Sequence, residues 1–434
     1  MGRCSQCQAW GSLAEDGPAA AGPRTSAVNP VRSQALPIAD IDVESAQAVP
    51  TGIAELDRVL GGGLVPGAVV LLSGEPGVGK STLLLTVAST YATPRLGPPR
   101  TVLYVTGEES AGQVRLRAQR VGALAPSLLL VAETDLATVL GHIDAHTPDL
   151  LIVDSVQTLA SAQVDGIAGG VSQVREVASA LIAAAKDRGL PVLLVGHVTK
   201  DGTVAGPRTL EHLVDVVCQF EGERHSQLRL MRAVKNRYGP TDEVGCFEMK
   251  DTGIDQLSDP SGLFVSHLGA GVAGSCVTVT LEGRRPLALE VQSLVAPSPL
   301  ANPRRTTSGL DSSRLAMVLA VLHRHAGMNL GSNDVYLSTV GGARAVEPST
   351  DLSAALALVS SHCTKALPPG TIALGEVGLA GDIRPVSGLE RRLAEAHRLG
   401  FTQAIVPHNP VKHQSITLIQ ASHIAQAIEL AGLR

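Results

Sequence analysis

The stretch AVVLLSGEPGVGKST, residues 68–82, decides the fold of this chain. An unbroken apolar run ends in Gly74-Glu75-Pro76-Gly77-Val78-Gly79-Lys80-Ser81-Thr82, which satisfies G-x-x-x-x-G-K-[ST], and the apolar run STLLLTVAS (81–89) overlaps its end. Strand, Gly-rich loop and helix in that order form a phosphate cradle. The glycines let backbone N–H groups wrap a polyphosphate, Lys80 reaches the β- and γ-phosphates, and the Ser81 hydroxyl ligates Mg²⁺. A Gly-rich turn with an incidental Lys would lack this context.

Outward from this stretch the pattern repeats. The runs TVLYVTGE (101–108), SLLLVAE (127–133), DLLIVDS (149–155) and PVLLVGH (191–197) alternate with helical segments. Continuous apolar runs of this length, separated by helices, predict a parallel sheet buried on both faces and hence an α/β fold. Strand-like runs at 214–221, 228–235 and 245–250 follow at closer spacing and extend the sheet as hairpins. The passage LSDPSGLF (257–264) closes this first domain, expected over 47–262. A second domain is expected over 270–434. Its strands are predicted at 276–281, 287–294, 334–340, 371–377 and 403–406, and its helices at 310–326, 350–366 and 387–399. A Pro- and Arg-containing loop at 296–309 lies inside it. Residues 13–46, rich in Ala, Pro, Ser and Gly with no helical or strand period, predict a flexible linker behind a short module at 1–12.

Several side chains fall where a triphosphate would need them. Asp154 ends the run DLLIVD, and an acid at the carboxyl end of a strand neighbouring the cradle strand is placed to hold Mg²⁺. Glu108 and Glu109 end TVLYVTGEE, where one carboxylate can polarise the attacking water; Glu108 is the expected one, and two solvated loop acids are the alternative. His197 closes PVLLVGH and either relays nucleotide state to the following loop or is an ordinary hydrogen-bonded strand-end histidine. Lys235-Asn236-Arg237-Tyr238-Gly239 packs two cations and an amide into one turn. It suits an arginine-finger role on a neighbouring subunit, or it is a basic hairpin turn.

Composition narrows the partners. Aromatic residues are 2% of the 434, which argues against a platform stacking successive bases. A formal net charge of −5 excludes a uniformly basic coat, so any polyanion site is local. No stretch reaches the roughly eighteen apolar residues of a membrane helix, and MGRCSQCQAWGSLAEDG has no apolar core of a secretory signal. The six cysteines (4, 7, 218, 246, 276 and 363) are sparse, and the last four sit singly in apolar runs as expected core residues. A reduced, cytoplasmic chain is expected.

YVTGEES (104–110), LIVDSVQT (151–158), VGHVTKDGTVAGPRTLEH (195–212) and KNRYG (235–239) together resemble the bacterial RadA (Sms) family, RecA-fold ATPases of recombinational repair. The resemblance runs from Arg3 to the C-terminus. It implies a RecA-like P-loop core in which Lys80 and Ser81 bind ATP·Mg²⁺, Asp154 is the Walker B acid and Glu108 the catalytic acid. Lys235 and Arg237 fall in the family's KNRFG motif, here with Tyr238 for Phe, which implies coupling of ATP to DNA work in a homohexameric ring. Translocation on single-stranded DNA, branch migration of recombination intermediates and a RecA recombinase partner are implied with it. Lys200 and Arg208 then belong to loops at the ring's pore, with GIAGGVSQVRE (166–176) as a second mobile loop; without the resemblance these read as solvent loops. Two other activities remain open on the residues: a Lon-like ATP-dependent peptidase, and a KaiC-like signalling ATPase or autokinase, which shares the cradle and the GEES signal.

The sequence departs from the family twice. The family opens with a four-cysteine zinc module, whereas only Cys4 and Cys7, with Trp10 after them, stand here. Two thiolates cannot close the tetrahedron of a structural zinc site, so Zn²⁺ is expected only if the true N-terminus supplies a second cysteine pair. The second domain resembles the proteolytic domain of Lon, an α+β fold of the ribosomal S5-like kind, through EPSTDLSAALALVSS (347–361) and GEVGLAGDIRPVSGLERRLAEAHRLGF (375–401). Ser349 falls at its nucleophile position, but Arg392 falls where the dyad lysine belongs. A guanidinium stays protonated and cannot be the base, so no peptidase activity is expected. The family uses this domain for ring assembly and DNA contact, for which Arg284, Arg285, Arg304, Arg305, Arg314, Arg384 and Arg392 offer basic surface.

Overall fold

Apolar runs that are buried on both faces need helices on both sides, and the chain supplies them in alternation. The computed structural model describes residues 2–3, 10–13, 37–40, 47–94, 97–197, 209–222, 227–265, 271–408 and 415–434. They divide into two compact units, Met1–Ser45 and Ala46–Arg434. In the first, strands β1 (Gly2–Arg3) and β2 (Trp10–Leu13) pair antiparallel, and a single 3₁₀ turn spans Ile38–Asp40. Cys4, Cys7 and most of the expected linker lie outside the described residues.

The second unit opens with α1 (Ala54–Leu60), β3 (Val69–Gly74), α2 (Lys80–Ala92), β4 (Val102–Thr106), α3 (Ala111–Arg120) and β5 (Leu128–Ala132). It continues through α4 (Leu136–His146), β6 (Leu150–Asp154), α5 (Val171–Arg188), β7 (Val192–His197) and β8 (Val216–Glu221). The hairpin strands β9 (Leu228–Asn236), β10 (Val244–Lys250) and β11 (Gly253–Gln256) complete a nine-stranded sheet of order β11-β10-β9-β8-β3-β7-β6-β4-β5. The six strands from β8 to β5 in that order run parallel. Alternation along β3 sorts the two layers: Val70 and Leu72 pack with Leu83, Leu84 and Val87 of α2, while Val69 and Leu71 pack with Val174, Val177 and Leu181 of α5.

A second sheet follows, built from β12 (Ser275–Glu282), β13 (Arg285–Pro297), β14 (Arg305–Ser308), β15 (Asn333–Thr339) and β16 (Thr371–Ala373). The short pair β17 (Glu376–Val377) and β18 (Ile383–Arg384) stands apart, and β19 (Gln403–Pro407) and β20 (Thr417–Ala421) finish the sheet in the order β14-β15-β13-β12-β16-β19-β20. Helices α6 (Ser312–Ala326), α7 (Asp351–Cys363), α8 (Leu389–Arg398) and α9 (Ile424–Leu430) cover it. Where one strand was expected over 371–377 the chain breaks into β16 and β17, and the expected loop 296–309 contains the end of β13 and all of β14. The architecture is α/β, with a large parallel sheet followed by a mixed one.

Candidate active site

Backbone geometry forces glycine into the cradle. A Cβ at Gly74 would lie 2.3 Å from Phe220 O, and one at Gly79 would lie 2.5 Å from Met249 Cε and 2.7 Å from Ile254 Cδ1. Gly77 has φ +82° and Gly79 +109°, a region that side chains avoid, and a Cβ at Gly77 would meet nothing within 4 Å. Val78 is buried and anchors the loop, while Glu75 and Pro76 are exposed and Ser81 and Thr82 half-buried on the first turn of α2. Lys80 is 4% exposed, and its Nζ donates to Gly74 O at 2.8 Å and Glu75 O at 3.0 Å. Burial lowers the Lys80 pKa, opposed by Asp154 and Glu108. A helix N-terminus, an open left-handed loop and a buried ammonium together fit a polyphosphate, and Ser81 and Asp154 are the oxygen donors that could hold a Mg²⁺ bound with it.

The carboxyl edge of the sheet gathers the expected acids. Asp154, 7% exposed, ends β6, and its Oδ2 accepts from the Tyr104 hydroxyl at 2.7 Å. Burial, with Asp154 beside it, holds Tyr104 well above the ordinary phenol range. Asp154 is not on the strand next to the cradle strand, since β7 runs between β3 and β6. The two adjacent glutamates part company. Glu108 Oε1 accepts from Ser155 Oγ at 2.7 Å and lies 3.0 Å from His197 Nε2, whereas Glu109 pairs with Arg117. The His197 contact, against the opposing effect of burial and with help from Ser155 and Lys80, lowers the Glu108 pKa to about 2. A Cβ at Gly107 would lie 2.1 Å from Thr158 Oγ1, so glycine lets this turn close on the loop after β6. Register aligns Gly74 with His197 and Thr106 with Asp154, which brings Lys80, Glu108, Asp154 and His197 to one edge.

Lys235 and Arg237 lie elsewhere. Asn236 is level with Val216, and Val216 with Val70, so the KNRYG turn sits at the amino edge of the sheet, a full strand away from the cradle of the same chain. Lys235 Nζ donates to Glu211 O and Val214 O, and Arg237 Nη1 lies 3.5 Å from Asp215 Oδ1. Lys200 and Arg208 fall outside the described residues. The second expected loop is shorter than 166–176, because Val171 to Glu176 already belong to α5. Gln173, 3% exposed, holds what remains: Ser161 N–H donates to its Oε1 at 2.8 Å, and its Nε2 donates to Ser161 O and Val164 O.

In the second sheet Ser349 and Arg392 do meet, with Arg392 Nη1 3.1 Å from Ser349 Oγ. Arg392 is 1% exposed and also donates to Glu347, Ser387 O and Val279 O, so a fixed cation stands where a peptidase needs a base. This corrects the expected basic surface. Arg392 and Arg285 are buried, Arg285 on Glu55 and Arg314 on Asp351, while Arg284, Arg304, Arg305 and Arg384 remain exposed. The cysteine expectation also needs one correction: Cys218, Cys246 and Cys276 are buried, but Cys363 is exposed at the end of α7. Among the described residues, no three His, Cys, Asp or Glu side chains are grouped to hold a metal, and no helix is long and apolar enough to cross a membrane. Sequence reasoning missed Tyr104, Ser155, Asp215 and Gln173; only Ser155, next to Asp154, carried a local signal.

A family model described as an AAA domain matches residues 35–203, and one described as subunit ChlI of Mg-chelatase matches 339–410. The chain is 52% identical over 439 residues to the DNA repair protein RadA of Mycolicibacterium smegmatis, covering 99% of this chain and 93% of that protein. It is 52% identical over 435 residues to DNA repair protein RadA of Mycobacterium tuberculosis, covering 99% and 89%. With the protein of that name from Streptococcus pyogenes the identity is 44% over 435 residues, covering 100% and 93%. Among solved structures, a KaiC-like protein of Pyrococcus horikoshii matches with a TM-score of 0.41 at 20% identity, over 49% of this chain and 99% of that one.

Proposed function

This chain belongs to the RadA family of DNA repair proteins, and from that premise we propose that it is an ATP-driven motor that translocates on single-stranded DNA and drives branch migration of recombination intermediates. ATPase chemistry is supported by the AAA-domain match and by the cradle's fit to a triphosphate. One observation carries the reading furthest. The hydrolytic groups Lys80, Glu108 and Asp154 share the carboxyl edge, while the cations of KNRYG share the amino edge. A finger from this turn can reach a triphosphate only on a second copy, which favours a ring, here a homohexamer.

Bound ATP·Mg²⁺ supplies the phosphoanhydride and the electrophilic phosphorus. Lys80 neutralises charge on the β- and γ-oxygens, and Ser81 and Asp154 hold the metal. Glu108 accepts a hydrogen bond from the attacking water and directs its lone pair in line with the γ-phosphorus. His197 touches Glu108 and precedes the segment that holds Lys200 and Arg208, which supports a role in passing a change at Glu108 to that segment. RecA recombinase is the proposed partner and the cytoplasm the proposed location.

The test is the ATPase rate with and without single-stranded DNA, alongside native mass of the assembly. Stimulation by DNA, a hexameric mass and loss of activity in Lys80→Ala are expected. Lys80→Ala hydrolysing ATP at the wild-type rate would overturn the site. An unstimulated wild-type enzyme that incorporates phosphate into itself would replace the motor with a signalling ATPase.

A further inference from the structure

The amino edge of the large sheet holds an ordered charge cluster that the phosphate site of the same chain does not touch. At its centre is Asp215, 4% exposed, in the turn before β8. Its Oδ2 accepts from Val69 N–H at 3.0 Å and from Lys186 Nζ at 2.8 Å, and its Oδ1 lies 3.5 Å from Arg237 Nη1. The backbone closes the same junction: Asp215 N–H donates to Val69 O, and Arg237 N–H donates to Asp215 O. One buried carboxylate thus ties together the root of the cradle strand, the last turn of α5 and the KNRYG turn.

The side chains of that turn divide. Lys235 donates to the carbonyls of Glu211 and Val214, and Asn236 Nδ2 to those of Val59 and Leu60, so both fasten the turn to their own chain. Arg237 is 56% exposed and Tyr238 38%. A half-exposed guanidinium has five donors, and its one long carboxylate contact leaves most of them for an anion beyond the chain. Unheld, a long cationic side chain spreads over many rotamers, and fixing it costs free energy at the moment of use. The Asp215 contact removes part of that cost in advance.

Resting on the reading that this turn faces a second copy's triphosphate, we propose that Asp215 is a positioning residue: its buried carboxylate sets the direction in which Arg237 leaves the amino edge toward the neighbouring copy's phosphate site. Misplacing a charge-stabilising group by about an ångström can cost on the order of a hundredfold in rate. Nucleotide binding at the chain's own cradle, on the opposite edge, should not change.

The experiment uses the full chain. DNA-stimulated ATPase and binding of a fluorescent ATP analogue are measured for Asp215→Asn, Arg237→Ala and the double variant, alone and mixed with Lys80→Ala. Asp215→Asn should lose about tenfold to a hundredfold in kcat with analogue affinity unchanged. It should add nothing to Arg237→Ala in the double variant, as expected for two residues in one chain of action. Mixing should restore activity above either parent, because Lys80→Ala copies present a correctly held Arg237 to the intact cradle of Asp215→Asn copies. A purely structural role would give no such rescue. A wild-type rate in Arg237→Ala would overturn the two-copy reading itself. With Arg237→Ala impaired, the proposal alone falls if Asp215→Asn keeps the wild-type rate, goes unrescued by Lys80→Ala copies, or compounds the Arg237→Ala defect. Should Asp215→Asn bind no analogue, Lys186→Met carries the test, since Lys186 is half-exposed. A severalfold loss rescued by mixing is then expected, and absence of either the loss or the rescue overturns the proposal.

Discussion

Glu108 and Glu109 are adjacent and chemically identical, and the structure gives them opposite fates. Replacing Glu108 with Gln keeps shape and one acceptor oxygen but removes the charge that Ser155, His197 and Lys80 surround. With its pKa lowered to about 2, the carboxylate is ionised in all but roughly one molecule in 10⁵ at pH 7. So acidic a group is a weak proton acceptor, and in the proposed reaction Glu108 would orient water and take the proton late. That role is worth about 10²- to 10⁴-fold in kcat, or roughly 2.7–5.4 kcal/mol of barrier. Binding of ATP should hold or tighten, since a negative charge near the triphosphate is gone. Glu109→Gln breaks only a partly exposed pair with Arg117, worth at most about 1 kcal/mol, and should cost less than about fivefold. The sign of the pH dependence follows. A depressed carboxylate contributes its stabilisation above its ordinary pKa near 4.5 and loses it only as pH falls through about 2. Because Glu108 is 44% exposed, screening keeps that contribution to stability below about 1 kcal/mol. Steady-state ATPase from pH 5 to 9 should therefore show no acid limb that depends on Glu108. A Glu108→Gln enzyme within threefold of wild type, or an acid limb near pH 6 that this variant abolishes, would refute the reasoning.

Two further outcomes concern buried cations. Arg285 Nη1 donates to both Glu55 oxygens, at 3.1 and 2.8 Å, so Arg285→Ala should cost about 3–5 kcal/mol in urea unfolding, while the paired Glu55→Gln/Arg285→Met change should recover most of it. Strict additivity of the two single changes would show that they do not form one pair. Arg392→Ala should destabilise by a similar amount because it strips partners from Glu347 and Ser349, and neither wild type nor Ser349→Ala should digest casein. Digestion by the wild type that Ser349→Ala removes would mean that a base other than Arg392 serves Ser349.

What sequence could reveal depended on the range of the interaction. The cradle is local, nine consecutive residues whose strand and helix flank them, and so was fully legible. The different surroundings of Glu108 and Glu109 were legible only as a question, because the contacts that separate them come from Ser155, just past β6, and from His197 at the end of β7. The buried arginines were not legible. Arg285 meets Glu55 across 230 residues and Arg392 meets Glu347 across 45, and nothing adjacent to either marks it as internal. Asp215 is hidden for the same reason: its register against Val69 is set by pairing of β8 with β3. Cys363 misled because it reads like the other cysteines of apolar runs, whereas the apolar run of α7 ends at Val359 and Ser360-Ser361-His362 lead Cys363 into solvent on the last turn.

The buried and paired arginines bear on how an acidic chain can hold a polyanion. Arg117, Arg188, Arg232, Arg285, Arg314 and Arg392 are each engaged with a carboxylate of their own chain, so their charge is spent internally. A count of Lys and Arg therefore overstates the positive surface, and a net charge of −5 is compatible with DNA binding only if the remaining cations converge. In the proposed ring, convergence comes from symmetry. Arg175, exposed on the first turns of α5 beside the loop that Gln173 pins, would recur once per subunit around the axis. The strand would then be held by phosphate contacts, indifferent to base sequence, because the chain has too few aromatics to stack on bases. The same closure would supply each cradle with the Arg237 that its own chain carries at the opposite edge. Under that reading catalysis and DNA grip have one requirement, the copy next door.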